Sequence, residues 1–347
     1  MKSKIEWTDS TWSPVTGCTP ISTGCQNCYA KREVESRWSK NPKSVFFGRE
    51  FSDVQCHESE LSRPLHWKKP RKIFVCPRAD LFHPDVPFEF IDHVFAVVAL
   101  APQHTFQVLT KRADRMHEYL TSKNRHDPII DAMNAMFNIR AAALKWPLPN
   151  IWFGITAENQ QAADSRIHLL LQCPAAVHFV SVEPMVGAVD IRRHLLSTYD
   201  KAAHDFQMLP GLDRTDKLDW VICGGESGSR ARPMHPDWPR SLRDQCDEAG
   251  VPFMLKQWGK WKPYVNESHY THCGDEKQPH AWVDSETGDS GLCWIVDDDG
   301  SWSNHTGNPR CDAEGNAAST VAVMGNWARE ADRLLDLVLH DEYPKGE

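Results

Sequence analysis

Between residues 72 and 258 the chain alternates short apolar runs with longer stretches whose apolar positions recur at helical spacing. The runs KIFVCP (72–77), TFQVLT (105–110), NIWFGIT (150–156), VHFVSV (177–182), DWVICGG (219–225) and PFMLKQW (252–258) are rich in β-branched and aromatic residues and read as buried strands. A seventh, KIEWT (4–8), is short. The stretches at 29–39, 87–101, 112–143 in two pieces, 158–171, 186–198 and 236–249 read as helices, the clearest being FEFIDHVFAVVALA. Strand then helix, repeated, implies a parallel sheet with right-handed crossovers. Six or seven such units predict an α/β fold, an open or closed (βα) barrel, over residues 1–258.

From residue 259 the pattern changes to short alternating pieces such as GKWKPYV, HAWVDSE and LCWIVDDDGSW. Residues 259–347 therefore read as a small β-rich appendage, closed by a helix over 325–339, GNWAREADRLLDLVL, whose apolar face should pack back on the barrel.

In parallel α/β folds the chemistry gathers at the carboxyl ends of the strands. Those ends here carry Arg78 and Asp80, then Thr110, Lys111 and Arg112, then Thr156 and Glu158, Ser181 and Glu183, Glu226 and Ser227, Lys256 and Gln257. One such residue alone is a helix cap or a surface charge. Six strand ends of this kind together point to a polar mouth.

Composition narrows the class. The 347 residues suffice for a full core, and no apolar run is long enough to span a membrane. The N-terminal lysines have no apolar stretch behind them, so the chain is expected in the cytosol, where its eleven cysteines are free thiols or metal ligands. A net charge of -8 excludes a protein that coats nucleic acid non-specifically. The basic runs HWKKPRK (66–72) and TKRADR (110–115) still allow a local phosphate-facing rim. Lys111 with Arg112 is the candidate for an anionic group of a substrate, the alternative being a basic first turn of a helix. Trp258 and Trp261 read either as core or as stacking platforms for a nucleobase. The seventeen histidines show no metal-like spacing.

The sharpest local signal is GCTPISTGCQNCYA (17–30), which sets Cys18, Cys25 and Cys28 in a glycine-flanked loop. A structural zinc site takes four protein ligands, so zinc would need Cys56, His57 or Cys76 as well. A 4Fe-4S cluster held by three thiolates keeps one iron open. In enzymes that cleave S-adenosylmethionine (SAM) reductively, that iron chelates the methionine part and the electron it delivers yields a 5′-deoxyadenosyl radical. The loop's place after a first strand and before repeated βα units suits that chemistry. Glu158 and Glu183 are then candidates to touch the SAM ribose or a substrate amine, with helix capping the alternative for Glu158.

The segments IEWTDSTWSPVTGC…GCQNCYA, PLHWKKPRKIFV…DLFHPDVPFEFI, TFQVLTKRADRM, IWFGITAENQ, FVSVEPMVG, WVICGGESGSRARPM and VPFMLKQWG, in this order, resemble a phage-borne three-Cys-motif family related to radical SAM enzymes. The tail RLLDLVLHDEYP resembles that family's ending, so the likeness spans nearly the whole chain. Radical SAM enzymes mostly space the cysteines Cys-x3-Cys-x2-Cys with an aromatic before the third; here the first gap is six residues and Tyr29 follows the third cysteine. Their GGE stretch, which holds the SAM amino group, follows the second strand, where this chain has PRADLF and hence Asp80 in that role. The GGE at 224–226, with Glu226, lies four strands later and stands on either the SAM or the substrate side.

The resemblance implies a radical SAM-type partial or full (βα) barrel, a 4Fe-4S cluster, SAM, an external flavodoxin- or ferredoxin-like electron donor and a location in the host cytoplasm. It further implies a DNA or modified-nucleobase substrate, with isomerisation of a glycyl-substituted thymine from nitrogen-linked to carbon-linked as the leading expectation. Two rival readings are a zinc-stabilised binding or adaptor protein, and a SAM-independent, metal-dependent nucleic-acid repair enzyme.

Overall fold

The computed structural model of the chain describes residue 3 and residues 5–196, 217–235, 237–263, 280–283, 290–295, 302–304, 320–324, 334–335 and 338–344. Seven strands form one sheet: β1 (Ser10–Trp12), β2 (Lys72–Val75), β3 (Thr105–Thr110), β4 (Ile151–Thr156), β5 (Val177–Val182), β6 (Trp220–Gly224) and β7 (Phe253–Gln257). Every neighbouring pair is parallel and the spatial order is the chain order. Helices α1 (Tyr29–Ser36), α2 (Phe88–Leu100), α3 (Ala113–Thr121), α4 (His126–Phe137), α5 (Gln160–Leu171) and α6 (Asp237–Ala249) lie between the strands in sequence.

Alternation along each strand divides the core in two. Val75, Val108, Phe153, Val180, Val221 and Phe253 belong to the cluster shared with the helices, where Ile91, Val94, Phe95 and Val98 of α2 are fully buried. The opposite face carries Phe74, Phe179, Trp220, Ile222 and Met254, gathered around Trp7. Trp7 lies 4.6 Å from Phe74 on β2, 6.1 Å from Phe179 on β5 and 6.3 Å from Trp220 on β6, measured between ring centroids. In a flat sheet β2 and β5 would stand about 14 Å apart at ~4.8 Å per strand, so the sheet must curl for both to reach one indole. No pairing joins β1 to β7 among the described residues, and the sheet is a half-barrel.

Above this aromatic floor the concave face turns small or polar, with Thr156, Ser181 and Lys256 nearest the carboxyl ends. The floor closes one end of the half-barrel. The other end remains open to build a site.

Three expectations need correction. The first strand is Ser10–Trp12, not 4–8, because Thr8 turns the chain with its hydroxyl donating to the carbonyls of Ser10 and Lys72 at 3.0 and 2.9 Å, which frees Trp7 to plug the concave face. Of the helix read over 186–198, the described residues 186–196 form only a turn at Arg192–Leu195, since Val186 N–H bonds the Glu158 carbonyl at 2.9 Å and holds the chain beside the mouth. The helix read over 325–339 falls largely outside the described residues, and where it is described Leu334–Leu335 and Val338–Leu339 pair antiparallel. The residues after them cover the open edge of β7: Leu255 N–H bonds the His340 carbonyl at 3.1 Å, and Met254 bridges Asp341.

Past β7, the backbone strands Trp261–Pro263, Thr320–Met324, His280–Val283, Ser290–Ile295 and Trp302–Asn304 pair in that spatial order as an antiparallel sheet. No helix among the described residues is long and apolar enough to cross a membrane.

Candidate cofactor site at the mouth of the half-barrel

The three cysteines are placed by a folded loop that hangs from β1. Val15–Thr16 pairs antiparallel with Gln55–Cys56, and Gly17 then turns at φ +89. A Cβ on Gly17 would lie 2.2 Å from the Asp53 carbonyl oxygen, so a side chain cannot be accommodated there. Cys18 follows with its N–H on the Phe51 carbonyl at 2.9 Å, Cys25 ends the single helical turn Thr23–Cys25, and Cys28 stands at the N-terminus of α1. The Tyr29 hydroxyl donates to the Pro77 carbonyl and ties the start of α1 to the loop after β2.

Cys18, Cys25 and Cys28 border one cavity of about 140 Å³. Among the described residues no group of three His, Cys, Asp or Glu side chains is arranged to hold a metal ion. A shared cavity lined by three soft thiols is nonetheless the donor set a 4Fe-4S cluster takes, and the fit is chemical: thiolate ligands on one wall, a buried cation behind one of them. Of the possible fourth ligands, Cys76 borders the same cavity, whereas His57 is engaged with the Thr16 hydroxyl at 2.7 Å. Cys56 is paired in the small hairpin and does not border it.

Behind Cys18 lies a buried network. The Arg112 guanidinium donates to Cys18 Sγ at 3.5 Å, to Asp80 Oδ2 at 3.0 Å and to the Thr19 carbonyl at 2.9 Å. Asp80 also accepts from Thr110 Oγ1 at 2.7 Å, Phe82 N–H at 3.0 Å and Lys111 N–H at 3.2 Å. Its oxygens are thus spent on this chain's own donors, and Arg112 is interior rather than on a DNA-facing rim. Both members of the basic pair border the cysteine cavity, and Lys111 borders the larger cavity as well. Burial, with Asp80 adding to it and Arg112 opposing it, pushes the Cys18 thiol up to about 11 when nothing binds it.

Glu158 does not cap α5. Asn159 does, its Oδ1 accepting from Ala162 N–H at 2.9 Å. Glu158 instead is buried, accepts from Arg166 at 2.8 Å and packs against the cysteine loop so closely that a Cβ on Gly24 would lie 3.0 Å from its carboxyl carbon. Burial would raise its carboxyl, but the nearby Ser22 hydroxyl and the charges of Arg166 and Lys111 outweigh that and hold it below its ordinary 4.5. A depressed carboxyl contributes stability above the unfolded value and loses it as pH falls through the folded one. Glu158→Gln should therefore lower the urea midpoint at pH 7 and flatten its acid dependence below about pH 4.5. An unchanged acid limb in the variant would contradict this role.

The late GGE is a latch on the cysteine loop. Glu226 accepts from Arg232 Nη2 at 2.7 Å and Nε at 3.0 Å, and from Asn27 Nδ2 at 2.9 Å. Arg232 Nη2 also reaches the Thr23 carbonyl at 3.0 Å, and Arg32 Nη1 reaches the Ser227 carbonyl at 2.9 Å. Arg232, Asn27, Ser22 and Thr19 were not legible as site residues, because each matters only through a partner up to 209 positions away, as in the Arg232–Thr23 contact.

Glu183 is paired through both oxygens with Lys256 Nζ at 2.9 Å and through one with Gln257 Nε2 at 3.0 Å. Glu183, Glu226, Lys256 and Lys111 border a second cavity of about 440 Å³ on the concave face. The two cavities share Cys28, Tyr29, Phe74, Leu109, Lys111 and Thr156 as wall. Trp258 is 3% exposed within the core and offers no stacking face, and the side chain of Trp261 lies outside the described residues.

Residues 2–344 match the family described as a protein of unknown function, DUF5131. The chain belongs to that family. No curated protein and no solved structure matches it. DUF5131 membership covers the half-barrel, the cysteine loop and the edge-covering tail alike, so the latch and the two cavities lie within the family's extent.

Proposed function

We propose that this DUF5131 protein is a radical SAM enzyme, with Cys18, Cys25 and Cys28 holding a 4Fe-4S cluster and SAM occupying the adjoining cavity. The observation that supports this reading is the common wall: three thiols border a cavity of about 140 Å³ that adjoins a polar-rimmed one of about 440 Å³ at the carboxyl ends of a parallel half-barrel. When bound, the cluster would supply one electron to SAM and yield a 5′-deoxyadenosyl radical able to take hydrogen from an unactivated carbon. The residues of the chain bind and orient: Lys111 and the Lys256–Glu183 pair present charges to a zwitterionic ligand, and the Trp7 floor excludes water from below.

In this reading Asp80, Glu158 and Glu226 support the walls, and Glu183 is the carboxylate best placed to meet a bound ligand. The protein would work in the cytoplasm of a phage-infected host with an external flavodoxin- or ferredoxin-like donor. Its substrate would be a hypermodified base, a glycyl-substituted thymine moved from nitrogen-linked to carbon-linked, extruded from DNA to reach the cavity.

Reduced, anaerobically reconstituted protein should convert SAM to 5′-deoxyadenosine and methionine, measured by chromatography. DNA from a phage with this gene inactivated should accumulate the nitrogen-linked nucleoside. Turnover in air without reductant would remove the radical reading; an unchanged nucleoside profile would remove the DNA substrate alone. One observation favours a zinc-stabilised binding protein instead, namely Cys76 as a fourth thiol at the cavity. One zinc and no iron per chain after strictly anaerobic purification would decide for it.

A further inference from the structure

Arg112 and Asp80 are 6% and 5% exposed, an ion pair taken almost wholly out of water. Such a pair is expensive: apolar side chains of similar volume would often stabilise a fold as well or better. It is also tightly held. Arg112 Nη2 is pinned by both the carbonyl and the hydroxyl of Thr19, at 2.9 and 3.1 Å, and that hydroxyl is in turn engaged with His83 Nε2 at 2.7 Å. The remaining terminal nitrogen, Nη1, is divided between Asp80 and Cys18 Sγ. A buried cation is thereby aimed at one of the three thiols, with its counter-charge on the same nitrogen.

We propose that Arg112 and Asp80 set the reduction potential of the cluster held by Cys18, Arg112 raising it and Asp80 lowering it. This rests on the cluster reading above. Reduction adds one electron to the cluster and no other group changes, so the added negative charge is felt at the ligating sulfurs. A guanidinium hydrogen-bonded to Cys18 Sγ stabilises that added charge, and the Asp80 carboxylate opposes it. Hydrogen bonds to the sulfurs and nearby net charge are the protein's means of tuning such clusters. A buried site screens neither.

The test compares the wild type, Arg112→Gln, Arg112→Lys and Asp80→Asn, each reconstituted anaerobically and titrated with reductant while the reduced cluster is followed by electron paramagnetic resonance. Arg112→Gln should lower the reduced-to-oxidised ratio at fixed poise by about tenfold, about 59 mV for a one-electron couple. Arg112→Lys keeps the charge and should shift it less. Asp80→Asn should move the ratio the opposite way, which a merely loosened loop would not do. Shifts of the same sign in Arg112→Gln and Asp80→Asn, or none beyond about twofold (~18 mV), overturn the proposal. If Arg112→Gln binds no iron, the Lys and Asn variants carry the comparison by their opposite signs. Loss of iron in all three makes the pair a folding element and overturns it too. Absence of iron from the wild type instead overturns the radical SAM reading itself, and this inference with it.

Discussion

Replacing Cys18, Cys25 or Cys28 with alanine should abolish iron binding in anaerobically reconstituted protein, from about four irons and four sulfides per chain to near none. The three thiols border the same cavity; the fourth thiol there, Cys76, has its pKa pushed far up by burial, which disfavours the thiolate a substitute ligand would need, and His57 is held by Thr16. A cluster reduced to two thiolates is exposed to solvent and lost. The control is Cys173→Ala. Cys173 is buried after α5 with its thiol on the Leu169 carbonyl at 3.2 Å, and its loss should leave iron content intact. Iron and sulfide analysis with the visible spectrum reads the result. Full iron content in any of the three variants would remove that cysteine from the ligand set.

Gly225→Ala should be the most damaging of the single-methyl changes at the mouth. A Cβ there would fall 1.9 Å from the Trp258 carbonyl oxygen, a backbone atom that cannot rotate away. The two segments are laced together, with Gly225 N–H on the Gln257 carbonyl and Lys260 N–H on the Glu226 carbonyl, both at 2.9 Å. Relief of the clash must therefore separate β6 from β7 at their ends and draw Glu226 and Arg232 off the cysteine loop. The expected cost is on the order of 3 kcal/mol or more, beyond the usual range for a surface change. Iron content should fall with it, because Thr23 and Asn27 lose their anchors. Gly48→Ala is the comparison: its φ of +69 strains an alanine, but nothing lies within 4 Å of the new methyl. It should cost only about 1–2 kcal/mol. Urea unfolding of the two variants measures the difference, and equal costs would mean that the close approach at Gly225 is not limiting.

The strands were legible because a strand buried on both faces must be apolar throughout, and six runs of that kind stand out against amphipathic helices. The order of the sheet followed from the barrel reading, since in a (βα) barrel each strand pairs with the next. The cysteine loop was legible for a different reason: three thiols within eleven residues are a local chemical signal that needs no fold to be seen. Asp80, Lys111, Arg112, Glu158, Glu183 and Glu226 were likewise marked as a group by their position after strands.

What each of them does was decided only in three dimensions. Asp80 and Arg112 are consumed by one another and by Thr19, Thr110 and Cys18, which come from the cysteine loop and a distant strand end. Glu158 lies against Gly24 of the cysteine loop and accepts from Arg166 instead of capping its helix, and Glu226 holds Arg232 and Asn27. Trp7 became the floor of the half-barrel only because the sheet curls enough to bring β2, β5 and β6 onto one indole. Periodicity reports which face of a segment is buried. The partner of a buried charge is set by loop closure over tens to hundreds of residues, and nothing local in the chain records it.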